Sequence, residues 1–476
     1  MKNIHKIYYL VFLTLLASCH KQLNVFPTTS EVDGNVIVDL QGAKTALNGV
    51  YYLLADAGFD YNNKPSIMWC DLNEIYPSEL SGTMDYSFGG SDLFEHTYDA
   101  TSLSVSALWT YNYKIVNAAN GFLKNISSVA SIDAGTKNEM IAEAKFLRAY
   151  ANATLLFYFG QYDDQTSPYG IILRKDFVTT GNISLPRSSV KESYDFILAD
   201  LDDAIAGLSN LNSQIYYANV WAAKLLQARV LMERGASGDY GNVIDLCNDI
   251  ITNGPFALED STKDVFLSKG LNSSEVIFGV QPYPDDVYKY NEYLFYMQGI
   301  ASDSLLSRLQ NDPRMGWMTR TIYLEDIPAY ALPGLTKYYP GPAPDPNPTA
   351  ISNVSYPMRL TEAYLLKAEA IATSGGSLAD AKDLLKTVLQ HAGFTDFSDV
   401  DAQNSADGLK TMIIKEDMKN FVGEAGQDWL AVRRLPFSDV QQLIPTLTNK
   451  TQLLLPIPKD EMTRNLALSG MQNPGY

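Results

Sequence analysis

Most of the chain carries the apolar spacing of amphipathic α-helices, and this spacing constrains the fold more than any other feature. The first segment begins near Asp39 and places Leu40, Ala43, Leu47 and Val50 on one helical face. A later segment opens with Ser189-Val190-Lys191-Glu192, a capping box that starts a helix. Similar spacing recurs at about 108–126, 139–159, 189–208, 220–234, 243–253, 357–374, 377–392, 409–422 and 427–434. We therefore predict a mainly α fold.

Small residues recur where two of these segments face their neighbours. Ala222 and Ala228 precede Gly235, and Ala368 and Ala370 precede Gly375. Small side chains let antiparallel helices approach closely, and glycine suits the turn between them. The pattern is similar to tetratricopeptide repeats, although it does not recur in tandem with their 34-residue period. Tetratricopeptide-like helix pairs are therefore predicted, with generic antiparallel packing as the alternative.

Two stretches interrupt the helical spacing. Residues 59–103 mix glycine, proline and aromatic residues, and a stretch of this length between helices is usually functional. Residues 255–355 hold 11 of the 22 prolines and nine tyrosines, a density of proline that prevents long helices. We predict an N-terminal helical region at 39–254 with a ligand-side loop at 59–103, a loop-rich inserted subdomain at 255–355, and a C-terminal helical region and tail at 356–476.

Aromatic residues in these two stretches are the candidate ligand contacts. Five tyrosines fall between Tyr283 and Tyr296, with acids and amides between them. Aromatic rings offer flat apolar faces and the acids offer hydrogen-bonding tips, a mixture that suits a sugar ring. The alternative is that these tyrosines pack the loops against the helices. The candidates, chosen on composition alone, are Trp69, Asp85, Tyr86, Phe88, Tyr283, Asp285, Tyr288, Tyr290, Tyr296 and Trp317.

The sequence lacks the motifs of common catalytic and cofactor sites. It contains no P-loop, G-x-G-x-x-G, H-E-x-x-H or G-x-S-x-G motif, and only four histidines. We therefore predict no enzyme activity, no metal and no cofactor, while a hydrolase with an opposed carboxylate pair stays open. Acid pairs occur at 163–164, 202–203 and 285–286. The net charge of −18, without a dense Lys/Arg cluster, argues against nucleic acid as a partner.

The N-terminus predicts export and lipid anchoring. Lys2 and Lys6 precede an apolar run at 7–17, which is too short to span a bilayer. Leu16-Ala17-Ser18-Cys19 looks like a bacterial lipobox, in which the cysteine becomes the lipid-bearing N-terminus after cleavage. We predict a signal peptide at 1–18, a tether at 19–38, and membrane attachment by the lipid alone. The two remaining cysteines exclude a disulfide framework.

Several short motifs, in order along the chain, resemble the SusD/RagB family of outer-membrane nutrient-binding lipoproteins. The helix motif Ala142-Glu143-Ala144-Lys145-Phe146-Leu147-Arg148-Ala149-Tyr150 is close to the family's A-E-A-R-F-L-R-A-Y. Further matches are Trp109 to Asn120, Leu185-Pro186-Arg187-Ser188, Asp312-Pro313-Arg314, Arg359-Leu360 to Ala370, and Leu455 to Tyr476. The family's E-R-x-x-E-F helix departs here at Asp417 and Asn420, which puts one local salt bridge in doubt.

The resemblance implies a right-handed helical scaffold with four tetratricopeptide-like helix pairs, and a loop-rich face that carries the ligand. It also implies a non-catalytic lipoprotein of the outer membrane, facing the cell exterior, that takes part in nutrient uptake and polysaccharide utilisation. Such a protein binds an oligosaccharide or polysaccharide and delivers it to a SusC-like TonB-dependent transporter. Most of the motifs are expected to build the scaffold. An alternative is a helical-repeat protein that binds peptide or protein cargo for the same kind of transporter.

Overall fold

The computed structural model describes residues 37–86, 90–324, 327–340 and 348–476. The predicted signal peptide, Cys19, most of the tether and Phe88 lie outside these residues. None of the described helices is both long enough and apolar enough to cross a bilayer.

The fold is mainly helical, with 54% of the residues in helices and 7% in strands, as predicted. The longer helices are α1 (Leu40–Leu54), α3 (Leu103–Ile126), α4 (Ala134–Phe159), α5 (Val190–Gly207), α6 (Val220–Arg234), α7 (Asp239–Asn253), α12 (Leu360–Thr373), α13 (Leu378–His391) and α15 (Ala406–Asn420). The shorter ones are α2 (Tyr76–Leu80), α8 (Thr262–Asp264), α9 (Tyr288–Tyr290), α10 (Asp303–Leu309), α11 (Met315–Met318), α14 (Ser398–Ala402), α16 (Gln427–Val432), α17 (Phe437–Leu443) and α18 (Lys459–Arg464). In the part of the chain that the structure describes, π-helical turns occur at Asp71–Ile75, Val265–Lys269 and Asn291–Phe295, and 3₁₀ turns at Gly270–Asn272, Lys450–Leu453 and Leu466–Leu468.

Consecutive long helices pack on one another, as the small residues predict. Helix α3 packs on α4, α4 on α5, α5 on α6 and α6 on α7, while α12 packs on α7, α13 and α15. Local signals set the helix ends. The predicted capping box forms at Ser189 and Glu192, and Gly235 closes α6 in the left-handed conformation.

One predicted helix start is wrong. The helical spacing from residue 357 onward includes the end of a strand, β8 (Ser355–Arg359), and α12 begins only at Leu360. All five residues of β8 are buried, and the strand pairs antiparallel with β4 (Val276–Val280). This pairing partner lies about eighty residues earlier in the chain, so local spacing does not reveal it.

The two irregular stretches are joined by short strands. A hairpin pairs β1 (Ala57–Phe59) with β2 (Pro65–Ile67). A four-stranded sheet has the order β3 (Met84–Asp85), β5 (Ile300–Ala301), β7 (Ile327–Leu335) and β6 (Thr319–Leu324), all antiparallel. Since β3 comes from residues 59–103 and the other three from residues 255–355, this sheet brings the two predicted ligand-side segments together. The first stretch is therefore more ordered than a loop.

The motif residues build the scaffold through buried ion pairs. Arg148 Nη2 lies 2.7 Å from Asp200 Oδ1, and Arg229 Nε lies 2.8 Å from Glu362 Oε1. Arg314 of the Asp-Pro-Arg motif holds Glu416, with Nη1 2.5 Å from Oε1. Helix α15 departs from the family motif at Asp417 and Asn420, but Arg314 still holds it through Glu416.

Candidate functional site

The turn of the β1–β2 hairpin presents a tyrosine to solvent. The Asp60 carboxylate accepts hydrogen bonds from the amides of Asn62 and Lys64, each 2.8 Å long. An aspartate that caps the amides following it makes a compact turn. Asn63 takes the left-handed conformation, φ 56°, that asparagine tolerates. Tyr61 therefore sits at the tip of a fixed turn, with 56% of its surface exposed.

A second segment, Tyr288–Tyr296, is anchored to the core by buried side chains. The buried Lys289 places Nζ 2.9 Å from Glu74 Oε1 and 2.9 Å from the Val354 carbonyl oxygen. Tyr293, also buried, donates to Glu74 Oε2 over 2.9 Å. These contacts hold the π-helical turn, in which Glu292 and Leu294 are also buried, and leave Asn291, Phe295 and Tyr296 at least partly exposed.

Asp286 joins this segment to the hairpin. Its carboxylate accepts from the amide of Ile67 in β2 and from the amide of Tyr288, both over 2.9 Å. A buried carboxylate held by two backbone amides resists displacement. The hairpin and the segment are therefore fixed relative to each other.

The two segments together form an exposed aromatic platform, which consists of Tyr61, Asn291, Phe295 and Tyr296. The rings of Tyr61 and Tyr296 meet edge to face, with centroids 5.6 Å apart, and Phe295 packs against Tyr296 at 5.1 Å. Asn291 Nδ2 donates to the Tyr61 hydroxyl over 3.1 Å. A hydrogen bond with the Tyr61 side chain raises the pKa of Tyr296 to about 12, so the Tyr296 hydroxyl stays protonated at neutral pH. Exposed rings beside an amide and two hydroxyls can stack on a sugar ring and bond its hydroxyls.

The other sequence candidates lie elsewhere or serve as anchors. Tyr288 is half-buried and donates to Asp71 over 2.7 Å, while Tyr290 packs its ring 5.4 Å from Tyr339. Tyr283 is half-buried against the helical core, and burial raises its pKa to about 12. Asp285 is exposed next to this segment.

Four candidates are placed away from the platform. Trp69 is only 1% exposed and packs near Tyr150, so it has no face to offer a ligand and is withdrawn from the candidate set. Asp85 lies in β3 opposite Ile300, with Tyr86 half-buried beside it. Trp317 stacks on Phe266 of the second apolar cluster, with ring centroids 6.2 Å apart.

The candidates chosen on composition omit three members of the platform: Tyr61, Asn291 and Phe295. Tyr61 stands alone in the polar run Asp60-Tyr61-Asn62-Asn63, and a turn of that composition projects its single ring. This turn signal was available in the sequence. The exposure of Phe295 was not, because it depends on which side chains of the neighbouring turn are anchored.

The acid pairs do not form an opposed catalytic pair. Asp286 is buried in its two backbone contacts while Asp285 faces solvent. Asp163 pairs with Lys450 at 3.1 Å, and Asp203 pairs with Lys145, both at the surface. Within residues 37–86, 90–324, 327–340 and 348–476, no three His, Cys, Asp or Glu side chains are placed to hold a metal ion.

The buried Glu79 predicts a pH dependence of stability. Burial raises the pKa of Glu79 to about 8, although Ser91 donates to its carboxylate over 2.7 Å. Because the folded-state pKa lies above the unfolded value of about 4.3, this group stabilises the fold fully below about pH 4 and loses that contribution as pH rises through 8. We expect thermal stability to fall between pH 5 and pH 8, with a flatter profile for Glu79→Gln. A mutant profile as steep as wild type would contradict this assignment.

Two stretches of the chain match family models. Residues 65–232 match a model described as "Starch-binding associating with outer membrane", and residues 330–442 match the model of the SusD family. A SusD-like protein of Bacteroides ovatus is 24% identical over 333 residues, which cover 60% of this chain and 59% of that protein. A SusD-like protein of Formosa agariphila is matched over 52% of its length. The chain thus spans less than two thirds of these relatives.

Solved structures share the fold over nearly the whole chain. A SusD superfamily protein from Bacteroides thetaiotaomicron superposes with a TM-score of 0.73 at 23% identity, covering 92% of this chain and 100% of the other. A laminarin-binding SusD-like protein gives a TM-score of 0.68 at 19% identity, with coverage of 92% and 100%. These likenesses establish a shared helical architecture.

Proposed function

The chain belongs to the SusD/RagB family, and from this premise we propose that it is a non-catalytic carbohydrate-binding protein of nutrient uptake. In this proposal the protein is lipidated at Cys19, sits on the outer membrane facing the exterior, and captures an oligosaccharide or polysaccharide. It then delivers the glycan to a SusC-like TonB-dependent transporter.

The aromatic platform is the observation that carries the binding role. Tyr61 and Phe295 are more than half exposed, and large exposed rings on a rigid support usually mark a binding surface. The rings are held by Asp286, Lys289 and Tyr293 in contacts that need no ligand. A surface ordered in advance loses little conformational freedom on binding. The laminarin-binding relative supports a glucan as the first glycan to try.

The test is a titration of the purified protein with plant, microbial and host glycans, laminarin included. Calorimetry and tyrosine fluorescence measure the binding. We expect saturable binding of one glycan class without release of reducing ends. Product release would indicate a hydrolase instead. Binding of peptides without any glycan would favour the alternative role in peptide or protein uptake.

A further inference from the structure

A cavity of about 420 Å³ lies beneath the hairpin, between the end of α1, the start of the π-helical turn Asp71–Ile75 and α3. Helix α3 lines it with Ala107, Thr110, Tyr111 and Lys114, whose spacing puts them on one helical face. The volume falls within the range of about 300–1,000 Å³ that is usual for small-molecule sites. A single sugar ring or a molecule of similar size fits such a space.

The walls of this cavity combine apolar and charged groups. Leu53, Met68 and Leu72 supply apolar surface, and Asp56 and Asp71 supply two carboxylates. The Asp71 carboxylate is occupied, because it accepts from the Tyr288 hydroxyl at 2.7 Å and from the Cys70 thiol at 3.3 Å.

The Asp56 carboxylate is different. It accepts no hydrogen bond from any residue in the described part of the chain, although it is only partly exposed. Asp56 also has a left-handed backbone, φ 47°, a conformation that is sparsely populated outside glycine and concentrates at functional sites. An acceptor that the protein leaves open within a cavity is available to a donor on a ligand.

The cavity has more acid than base. Burial raises the pKa of Asp56 to about 6, with the positive charge of Lys114 opposing that rise, and burial also raises the pKa of Asp71 to about 6. Because both values lie below 7, both carboxylates are mainly ionised at pH 7. Lys114 is exposed and forms no ion pair with a described residue, so its flexible amine can turn toward solvent.

We infer that this cavity binds a sugar-sized molecule that carries a protonated amine, with Asp56 as the carboxylate that receives it. The hydrophobic residues accommodate the ring, and the excess negative charge disfavours acidic ligands. This inference stands on the cavity alone and does not depend on the aromatic platform. Amine binding in the cavity and glycan binding on the platform can each fail without the other.

The test compares two single sugars that differ mainly in charge: glucosamine and glucose, titrated by calorimetry against the purified protein at pH 7. We expect saturable binding of glucosamine and at least tenfold weaker binding of glucose. Asp56→Asn should weaken the binding of glucosamine by roughly tenfold or more, because a charge-assisted hydrogen bond is lost. Asparagine tolerates the left-handed backbone at this position, so the fold should persist.

Lys114→Gln provides a control of opposite sign. Removing this cation should strengthen amine binding by a few-fold, whereas loss of a merely structural contact would weaken it. Platform variants such as Tyr61→Ala should leave amine binding unchanged. Equal affinity for glucosamine and glucose, wild-type affinity in Asp56→Asn, or weaker amine binding in Lys114→Gln would each overturn the inference.

Discussion

Replacing Arg359 with alanine is expected to lower the free energy of unfolding by about 3–5 kcal/mol, the usual cost of removing one partner from a buried ion pair. Arg359 has 0% of its surface exposed and lies where β8 passes into α12. Its guanidinium donates from Nε to Glu424 Oε2 over 2.6 Å and from Nη1 to Glu275 Oε2 over 3.1 Å. The side chain therefore ties three separate parts of the chain together.

Removing Arg359 leaves Glu424 with a positively charged partner but leaves Glu275 without one in the described part of the chain. Glu424 keeps a contact with the buried Lys337. Among the described residues, the donors that remain to the Glu275 carboxylate are neutral: the Thr361 hydroxyl at 2.7 Å and the Glu259 amide at 3.1 Å. The uncompensated charge on Glu275 should account for much of the loss, because a buried carboxylate without a cation is costly. Adding Glu275→Gln to Arg359→Ala should therefore restore part of the stability.

Urea denaturation of the single and double variants measures this coupling. The matched control is Arg464→Ala, an exposed arginine whose guanidinium lies 3.5 Å from Asp460 one helical turn away. Exposed pairs of this kind contribute about 0–1 kcal/mol. Two outcomes would contradict the stabilising role of the buried network. One is that Arg359→Ala unfolds at the same urea concentration as Arg464→Ala. The other is that the double variant is less stable than Arg359→Ala alone.

Helices were predictable from the sequence because their signals are local. The bounds of α6 match the predicted segment at both ends, since Asn219 caps its start and Gly235 ends it. The strand β8 was missed because it is specified by its pairing with β4, and pairing between distant segments leaves no periodic signal in either one.

For the candidate site, the sequence indicated the tyrosine-rich segment but not which rings reach solvent. Tyr288, Tyr293 and Tyr296 have the same side chain and lie within nine positions. The structure anchors the first on Asp71, buries the second on Glu74 and brings the third against Tyr61. Which of these tyrosines is buried depends on Asp71 and Glu74, about two hundred positions earlier in the chain. Composition therefore cannot predict which ring reaches solvent.

The contacts that order the platform lie in the protein interior and not among its exposed rings. The Lys289 ammonium lies 3.5 Å from the centroid of the Tyr338 ring and bonds Glu74, and both partners belong to the protein interior. The outward side chains can therefore change with little effect on the fold. Binding and stability should separate experimentally on this surface.

A change to the exposed rings should therefore reduce glycan binding strongly while leaving stability nearly unchanged. Replacing Tyr61 and Tyr296 together with alanine should weaken binding of the glycan found in the panel titration by roughly 30-fold or more. Two stacking rings of this size contribute about 2 kcal/mol or more through buried apolar area and ring contacts. The unfolding free energy should change by less than about 1 kcal/mol, because Tyr61 is mostly exposed and Tyr296 is only partly buried.

Two matched variants test the reason for this loss. The double replacement with phenylalanine keeps the rings and removes the hydroxyls, including the one that accepts from Asn291, so it should bind with intermediate affinity. Tyr476→Ala removes a tyrosine of which 38% is exposed, whose hydroxyl donates to the Leu454 carbonyl oxygen in the tail and not to the platform. It should bind glycan like the wild type. Undiminished binding in Tyr61→Ala/Tyr296→Ala, measured by calorimetry on protein with unchanged thermal unfolding, would place the glycan elsewhere on the molecule.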